Sequence, residues 1–215
     1  PLNNQWVDAT QKLVLTFGGA GGKHVTITGS CAEYTWNELP CDEASSETRP
    51  STLYGQSKLI CLEQTSELCG ALGMELAWGR VFFPYGRIEN PKRLVPQVYA
   101  ALKSQKHLEV CGELHRDFLF IDDAVSAILH LALSRLNGVY NVSSGRAVEL
   151  KQLVQVMASV LSVSPACITF KKLEPSTQPR LLLGLNQKLL ATGWRETYDL
   201  RAGLGLVNQT LISGK

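Results

Sequence analysis

The sequence predicts an α/β fold with a mainly parallel sheet, and three observations predict it. Short strand-like runs, the β-branched Val25–Thr28 together with Glu75–Phe82 and Gly138–Val142, alternate with stretches of helical period. Glycine and proline clusters punctuate the junctions between them. Hydrophobic residues make up 45% and charged residues 19% of 215 residues, enough apolar material for one large or two small cores.

Residues 4–17 place Trp6, Val7, Ala9, Leu13, Val14 and Phe17 at helical spacing. Gly18–Gly22 ends that helix. It is no phosphate cradle, because a dinucleotide loop follows a strand and opens a helix, whereas this run does the reverse. Val25–Thr28 is a strand, and 35–52, rich in proline, serine and acids, is a surface loop. Residues 53–72 are helical, with Leu59, Ile60, Leu62, Leu68 and Leu72 as the expected buried stripe. The strand Glu75–Phe82 is stopped by Pro84 and Gly86. Leu94–Leu102 is a helix, Leu108–Val110 and Asp117–Ile121 are short strands, Asp123–Leu133 is a helix and Gly138–Val142 a strand. Leu150–Leu161, Cys167–Lys171 and two tail helices near 186–192 and 199–212 complete the chain.

A formal charge of +2 marks neither a nucleic-acid nor an anionic-membrane partner. No apolar run approaches the ~20 residues that span a bilayer. The start shows no signal peptide, and Pro1 in place of Met reads as a cut from something longer. Six cysteines without Cys-x-x-Cys spacing read as reduced thiols of a cytoplasmic protein. His24, His107, His115 and His130 are isolated, so no metal site is expected.

Tyr54-Gly-Gln-Ser-Lys58 puts a phenol and an ammonium one turn apart on one helix face. The ammonium favours the phenolate, which suits Tyr54 to general acid–base work. An ordinary surface pair would look the same. Ser30 ends the strand upstream, and strand carboxyl ends are where open α/β sheets gather function. A serine in a plain turn is the other reading. Asp122-Asp123 reads as a metal or acid–base pair, or with Asp123 as the cap of a helix beginning at Ala124. Arg116 and Arg180 read as surface residues or as grips for a diphosphate.

Taken in order, these residues resemble the extended short-chain dehydrogenase/reductases, the NAD-dependent epimerase/dehydratase family of nucleotide-sugar enzymes. The resemblance is carried by Ser30 ahead of Tyr34, by Tyr54-Gly-Gln-Ser-Lys58, by Gly79-Arg-Val-Phe-Phe-Pro-Tyr-Gly86, by Arg116-Asp-Phe-Leu-Phe-Ile-Asp-Asp123, by Gly138-Val-Tyr-Asn-Val-Ser-Ser-Gly145 and by Ala191-Thr-Gly-Trp194. It implies the C-terminal part of a Rossmann-like doubly wound parallel sheet plus a small α/β substrate-binding lobe. The sheet part would be 1–86 and 119–145, the lobe 87–118 and 146–215. It implies catalysis by Ser30, Tyr54 and Lys58, with NAD or NADP held by Tyr54, Lys58, Phe82 and Phe83. It implies a nucleotide sugar held by Ser30, Phe83, Arg116 and Arg180, and a homodimer through helix 53–72.

Two departures qualify it. The family's opening Gly-x-x-Gly-x-x-Gly is absent, with about 80–100 residues on domain-size norms, so residues 1–215 alone are expected to hold NAD(P) weakly. Phe83 stands where many epimerases carry an asparagine, and Asn4 or Gln5 falls near a position where relatives use one. Family dehydratases carry acidic residues directly after the catalytic serine or threonine. Here Cys31 and Ala32 stand there, and in extended backbone Glu33 would face the opposite way. The expected chemistry is therefore an epimerase or 4-ketoreductase and not a dehydratase. The alternative is an inert or binding-only fragment or pseudoenzyme.

Overall fold

The computed structural model describes residues 2–174 and 178–213, with side chains from 3 to 174 and 178 to 209. The helices are α1 (Leu2–Gly19), α2 (Leu53–Leu72), α3 (Leu94–Ser104), α4 (Ile121–Leu133), α5 (Leu150–Leu161), α6 (Gln187–Ala191) and α7 (Leu200–Ser213). The strands are β1 (His24–Ser30), β2 (Glu75–Val81), β3 (Phe83–Tyr85), β4 (Leu108–Cys111), β5 (His115–Arg116), β6 (Phe118–Phe120), β7 (Gly138–Val142), β8 (Val148–Glu149), β9 (Ile168–Lys171) and β10 (Leu181–Leu182).

Three parallel strands in the order β1-β2-β7 form the principal sheet. Alternation along β2 dresses its two faces differently. Leu76 and Trp78 join Val25, Ile27, Cys61, Leu62 and Cys69 in the core under α1 and α2, whereas Ala77 and Val81 pack with Ala124, Ala127 and Leu131 of α4. Helices on both faces of a parallel sheet make the fold Rossmann-like. Gly79 is what lets α4 approach, since a Cβ there would lie 2.4 Å from Ile128 Cδ1. Among the described residues β1 pairs only with β2, so its other edge is open.

A second core gathers α3, α5 and α7 around β3, β4 and β6. Here β3 pairs in parallel with β6, β4 with β9, and β5 lies between β10 and β8. Asp117, fully buried between β5 and β6, ties the region to the sheet by accepting from Ser144 N and Oγ (both 2.7 Å), Gly145 N (3.1 Å) and Gly184 N (3.2 Å). Burial pushes its carboxyl up to about 6 against the pull of those donors.

Several expectations need correction. Pro84 does not end extended structure but lies within β3. That strand has a single partner, so the missing N–H leaves no ladder bond broken. The buried face of α2 is Gly55, Cys61, Leu62, Thr65 and Cys69, while Ile60 is 45% exposed. The position of α1 chose that face, and Gln11 Nε2 reaches across to donate to Thr65 Oγ1 (2.9 Å). Helix α4 starts at Ile121, three residues early, so Asp123 is not its cap. Its buried carboxylate instead accepts from Thr197 N and Tyr198 N (both 2.9 Å), fixing the segment ahead of α7. Strands β5, β8 and β10 are two residues each and carry no periodic signal.

Candidate functional site

Ser30 ends β1, where the chain turns into a single 3-10 turn, Cys31–Glu33. The turn is a capping box: Ser30 Oγ accepts from Ala32 N (3.2 Å), and the Glu33 carboxylate accepts from Ser30 N (2.7 Å). Ser30 Oγ accepts within the turn and also approaches the Cys31 thiol, and its hydroxyl proton can rotate to an external oxygen. Glu33 is fully buried and also accepts from Trp78 Nε1 (3.1 Å) and Arg80 Nε (2.7 Å). The Arg80 guanidinium stacks on the Tyr34 ring at 4.3 Å, and Tyr34 Oη donates to Asn141 Oδ1 (2.8 Å). The turn, and Ser30 with it, is thus bolted to β2 and β7. The backbone at 31–33 is helical rather than extended, yet Glu33 faces inward all the same, because Arg80 and Trp78 draw it there.

Tyr54 stands in the first turn of α2, which Thr52 caps by accepting from Gly55 N (3.0 Å). Gly55 presses that turn against the Ser30 turn: a Cβ there would lie 2.1 Å from the Ala32 carbonyl oxygen. This contact brings Tyr54 to Ser30, and both line one cavity of about 650 Å³. Lys58 lines an adjoining cavity of about 350 Å³ with Asn3, Trp6 and Tyr54, and its Nζ donates to Thr28 O on β1 (2.9 Å). Gly55 is a site residue that the sequence reading passed over. Its signal was a glycine in a helix's first turn, where it weakens the helix unless close packing requires it. Gly55→Ala gains about 1 kcal/mol of helix propensity but meets a backbone oxygen, and overpacking costs about 1–3 kcal/mol. The expected outcome, read by thermal unfolding, is a net loss of stability.

Phe83, Pro84 and Arg93 line both the Ser30–Tyr54 cavity and a neighbouring cavity of about 390 Å³ that reaches Arg116, so the two meet. Arg116 is no surface residue. It is 5% exposed, lies 5.6 Å over the Phe83 ring, and donates to His115 O (2.8 Å), Arg180 O (3.2 Å) and Gln178 Oε1 (3.1 Å). Burial lowers its pKa, and among the described residues no carboxylate pairs with it. A buried cation held only by neutral groups is suited to receive an anion.

Arg180 is placed differently. Its guanidinium pairs with Glu113 (2.9 Å), and only its main-chain carbonyl meets Arg116. The second guanidinium at the cleft is Arg93, held by Glu89 (2.9 Å) and Pro84 O (3.2 Å). Sequence reasoning missed it, although a cation at the N-cap of α3 opposes the helix dipole and was itself a signal. Phe82, fully buried, backs the first cavity beside Cys31, whose thiol burial pushes up to about 12. Asp122 accepts both contacts of Arg87 (2.7 and 3.0 Å), and among the described residues no His/Cys/Asp/Glu group suits a metal ion.

Residues 4–143, more than half of the chain, match the family model of the NAD dependent epimerase/dehydratase family. The chain belongs to that family. It is 28% identical over 128 residues to the CDP-abequose synthase of Salmonella typhimurium (strain LT2), a match that covers 56% of this chain and 43% of that protein. Among solved structures it matches a UDP-N-acetylglucosamine 4-epimerase from Methanobrevibacter ruminantium M1 in complex with UDP-N-acetylmuramic acid. There the TM-score is 0.88 at 21% identity, over 97% of this chain and 69% of that one. A Thermus thermophilus UDP-glucose 4-epimerase complex with NAD matches at TM-score 0.82 and 19% identity, over 96% and 69%. At these identities the structural likeness shows the fold. The chain spans less than half the length of the curated relative.

Proposed function

We propose that this chain is the catalytic and substrate-binding part of a NAD(P)-dependent nucleotide-sugar epimerase or 4-ketoreductase. The observation that carries the reading is the single cavity lined by Ser30 and Tyr54, which meets the Arg116 cavity at Phe83. In this reading residues 1–86 and 119–145 face the cofactor, and 87–118 and 146–215 hold the substrate.

The residues fit the nicotinamide end of such a cofactor. Tyr54 borders both adjoining cavities and Lys58 lines the second, while Val81, Ala124 and Ile128 supply an apolar wall for a flat ring. When bound, the nicotinamide exchanges a hydride with the sugar carbon. Ser30 donates its proton to the sugar oxygen and orients it, and Tyr54 Oη takes or returns that oxygen's proton. Lys58, fixed by its bond to Thr28 O, holds the ribose. Phe82 and Phe83 shape the wall behind the reacting centre. Arg116 pairs with the diphosphate, and Arg93 is better placed than Arg180 to be its second cation.

Dehydration across the sugar's side arm needs an additional acid. Cys31 is a thiol held protonated by burial, Ala32 has no proton to give, and Glu33 is committed to Arg80 and Trp78. The apolar outer surface at Trp6, Leu13, Leu53 and Ile60 supports self-association through helix 53–72.

The test is calorimetric titration of the chain with UDP- and CDP-sugars and with NAD⁺ and NADP⁺, followed by mass spectrometry of the sugars. Nucleotide-sugar binding without loss of water is expected, with weak dinucleotide affinity for residues 1–215. Absence of nucleotide-sugar binding would favour the inert-fragment reading, and efficient water loss would make the site a dehydratase. Arg116→Ala should weaken nucleotide-sugar affinity by ~10-fold or more, the loss of a charge-assisted pair. Unchanged affinity would return Arg116 to a purely structural role.

A further inference from the structure

Trp36 lines the Ser30–Tyr54 cavity, and the proposed reaction gives it no part. It follows the Ser30 turn and is held from three sides. The residue before it is tied across its loop, with Thr35 N donating to Glu47 O (2.8 Å) and Thr35 Oγ1 accepting from Arg49 N (2.9 Å). The indole packs against the small core of Cys31, Tyr34, Cys41 and Phe82. Its Nε1 donates to Cys31 O (3.2 Å). The ring is therefore partly buried and fixed beside the turn that carries Ser30. Trp78 and Trp194, by contrast, are core residues.

The one polar atom of the indole is spent on Cys31 O, so what Trp36 can offer the cavity is carbon surface and an electron-rich ring. A pyranose has a side that matches. Its axial C–H bonds form an apolar, slightly positive patch, while its equatorial hydroxyls point outward around the rim. Laid on an indole, such a ring sheds water from carbon and not from oxygen. Its C–H dipoles then meet the negative face of the π system. The rim hydroxyls stay free for Ser30, Tyr54 and Thr28, whose side chains border the same cavity. The other rings of the wall are less suited, since Phe82 is fully buried and Phe83 lies 5.6 Å under the Arg116 guanidinium. On the nucleotide-sugar reading, we propose that Trp36 is the platform on which the sugar ring stacks.

The test compares nucleotide sugars with the same nucleotides stripped of their sugar. UDP-glucose against UDP, and CDP-glucose against CDP, are titrated into the 215-residue chain and its variants. Trp36→Ala should weaken nucleotide-sugar binding by ~10-fold or more, the loss typical of a central tryptophan contact, and leave UDP and CDP affinity unchanged. Trp36→Phe keeps a ring and should keep most of the preference for the sugar. Trp36 is also its own probe: indole fluorescence should change more with UDP-glucose than with UDP, and that excess should vanish in Trp36→Phe. The fluorescence comparison needs only the unaltered chain and Trp36→Phe, so it decides even if Trp36→Ala fails to fold. Equal losses for nucleotide sugar and bare nucleotide, or no fluorescence excess, overturn this inference and leave the nucleotide-sugar reading standing. Failure of the unaltered chain to bind any of the four compounds overturns both.

Discussion

Tyr54→Phe should lower turnover by about 10²–10⁴-fold, the usual contribution of a positioned general acid–base group, with cofactor binding nearly unchanged. The measurement is steady-state kinetics on this chain joined to a glycine-rich dinucleotide-binding half such as its relatives' family carries. The reasoning is geometric. Tyr54 sits where the Ser30 cavity and the Lys58 cavity adjoin, so its side chain borders both sides of the proposed reaction. Removing one oxygen leaves the ring, the helix and the Lys58 contact with Thr28 O in place. Lys58→Ala should differ in kind, damaging turnover and dinucleotide affinity together. If Tyr54→Phe kept more than about a tenth of the original kcat, the loss would fall below that range and another group would have to move the proton.

Glu33→Ala should be among the most destabilising single substitutions in the chain. It would strand the Arg80 guanidinium, 4% exposed, together with the Trp78 indole N–H and the Ser30 amide. Breaking a buried ion pair from one side costs about 3–5 kcal/mol. For a domain of this size that is a fall of about 6–20 °C in Tm, measurable by thermal unfolding. Glu33→Gln keeps one oxygen to accept from Ser30 N but removes the charge and the second acceptor opposite Arg80 Nε, so it too should destabilise the fold. A loss under about 1 kcal/mol for Glu33→Ala, the level of a surface pair, would mean that water replaces the carboxylate and that Ser30 is not held by this network.

Much of this site was legible in sequence because its parts are local. Four-residue spacing on a helix places Tyr54 above Lys58 whatever surrounds them. The end of a β-branched run places Ser30 at a strand's carboxyl edge. The limits of α2 follow from Thr52 as cap and from Gly73 in the left-handed region (φ 61°), and both are one-residue signals.

The features that could not be read are those decided by contact across the fold. Whether Glu33 faced the cavity or the core depended on Trp78 and Arg80, which lie 45 and 47 residues away. That Arg116 is buried, and that Arg93 rather than the Arg180 guanidinium reaches the cleft, depended on Phe83, Gln178 and Glu113, which no local spacing relates. The face that α2 buries was set by where α1 lies. The role of Gly55 emerged only when a carbonyl oxygen stood 2.1 Å from its absent Cβ. The sequence by itself determined the α/β class, most of the elements and the places of Ser30, Tyr54 and Lys58 on them, because periodicity, caps and helical spacing act over a few residues. Only the tertiary structure decided which charges are buried, which are paired and which are left to meet a ligand, because those energies depend on neighbours brought together by folding.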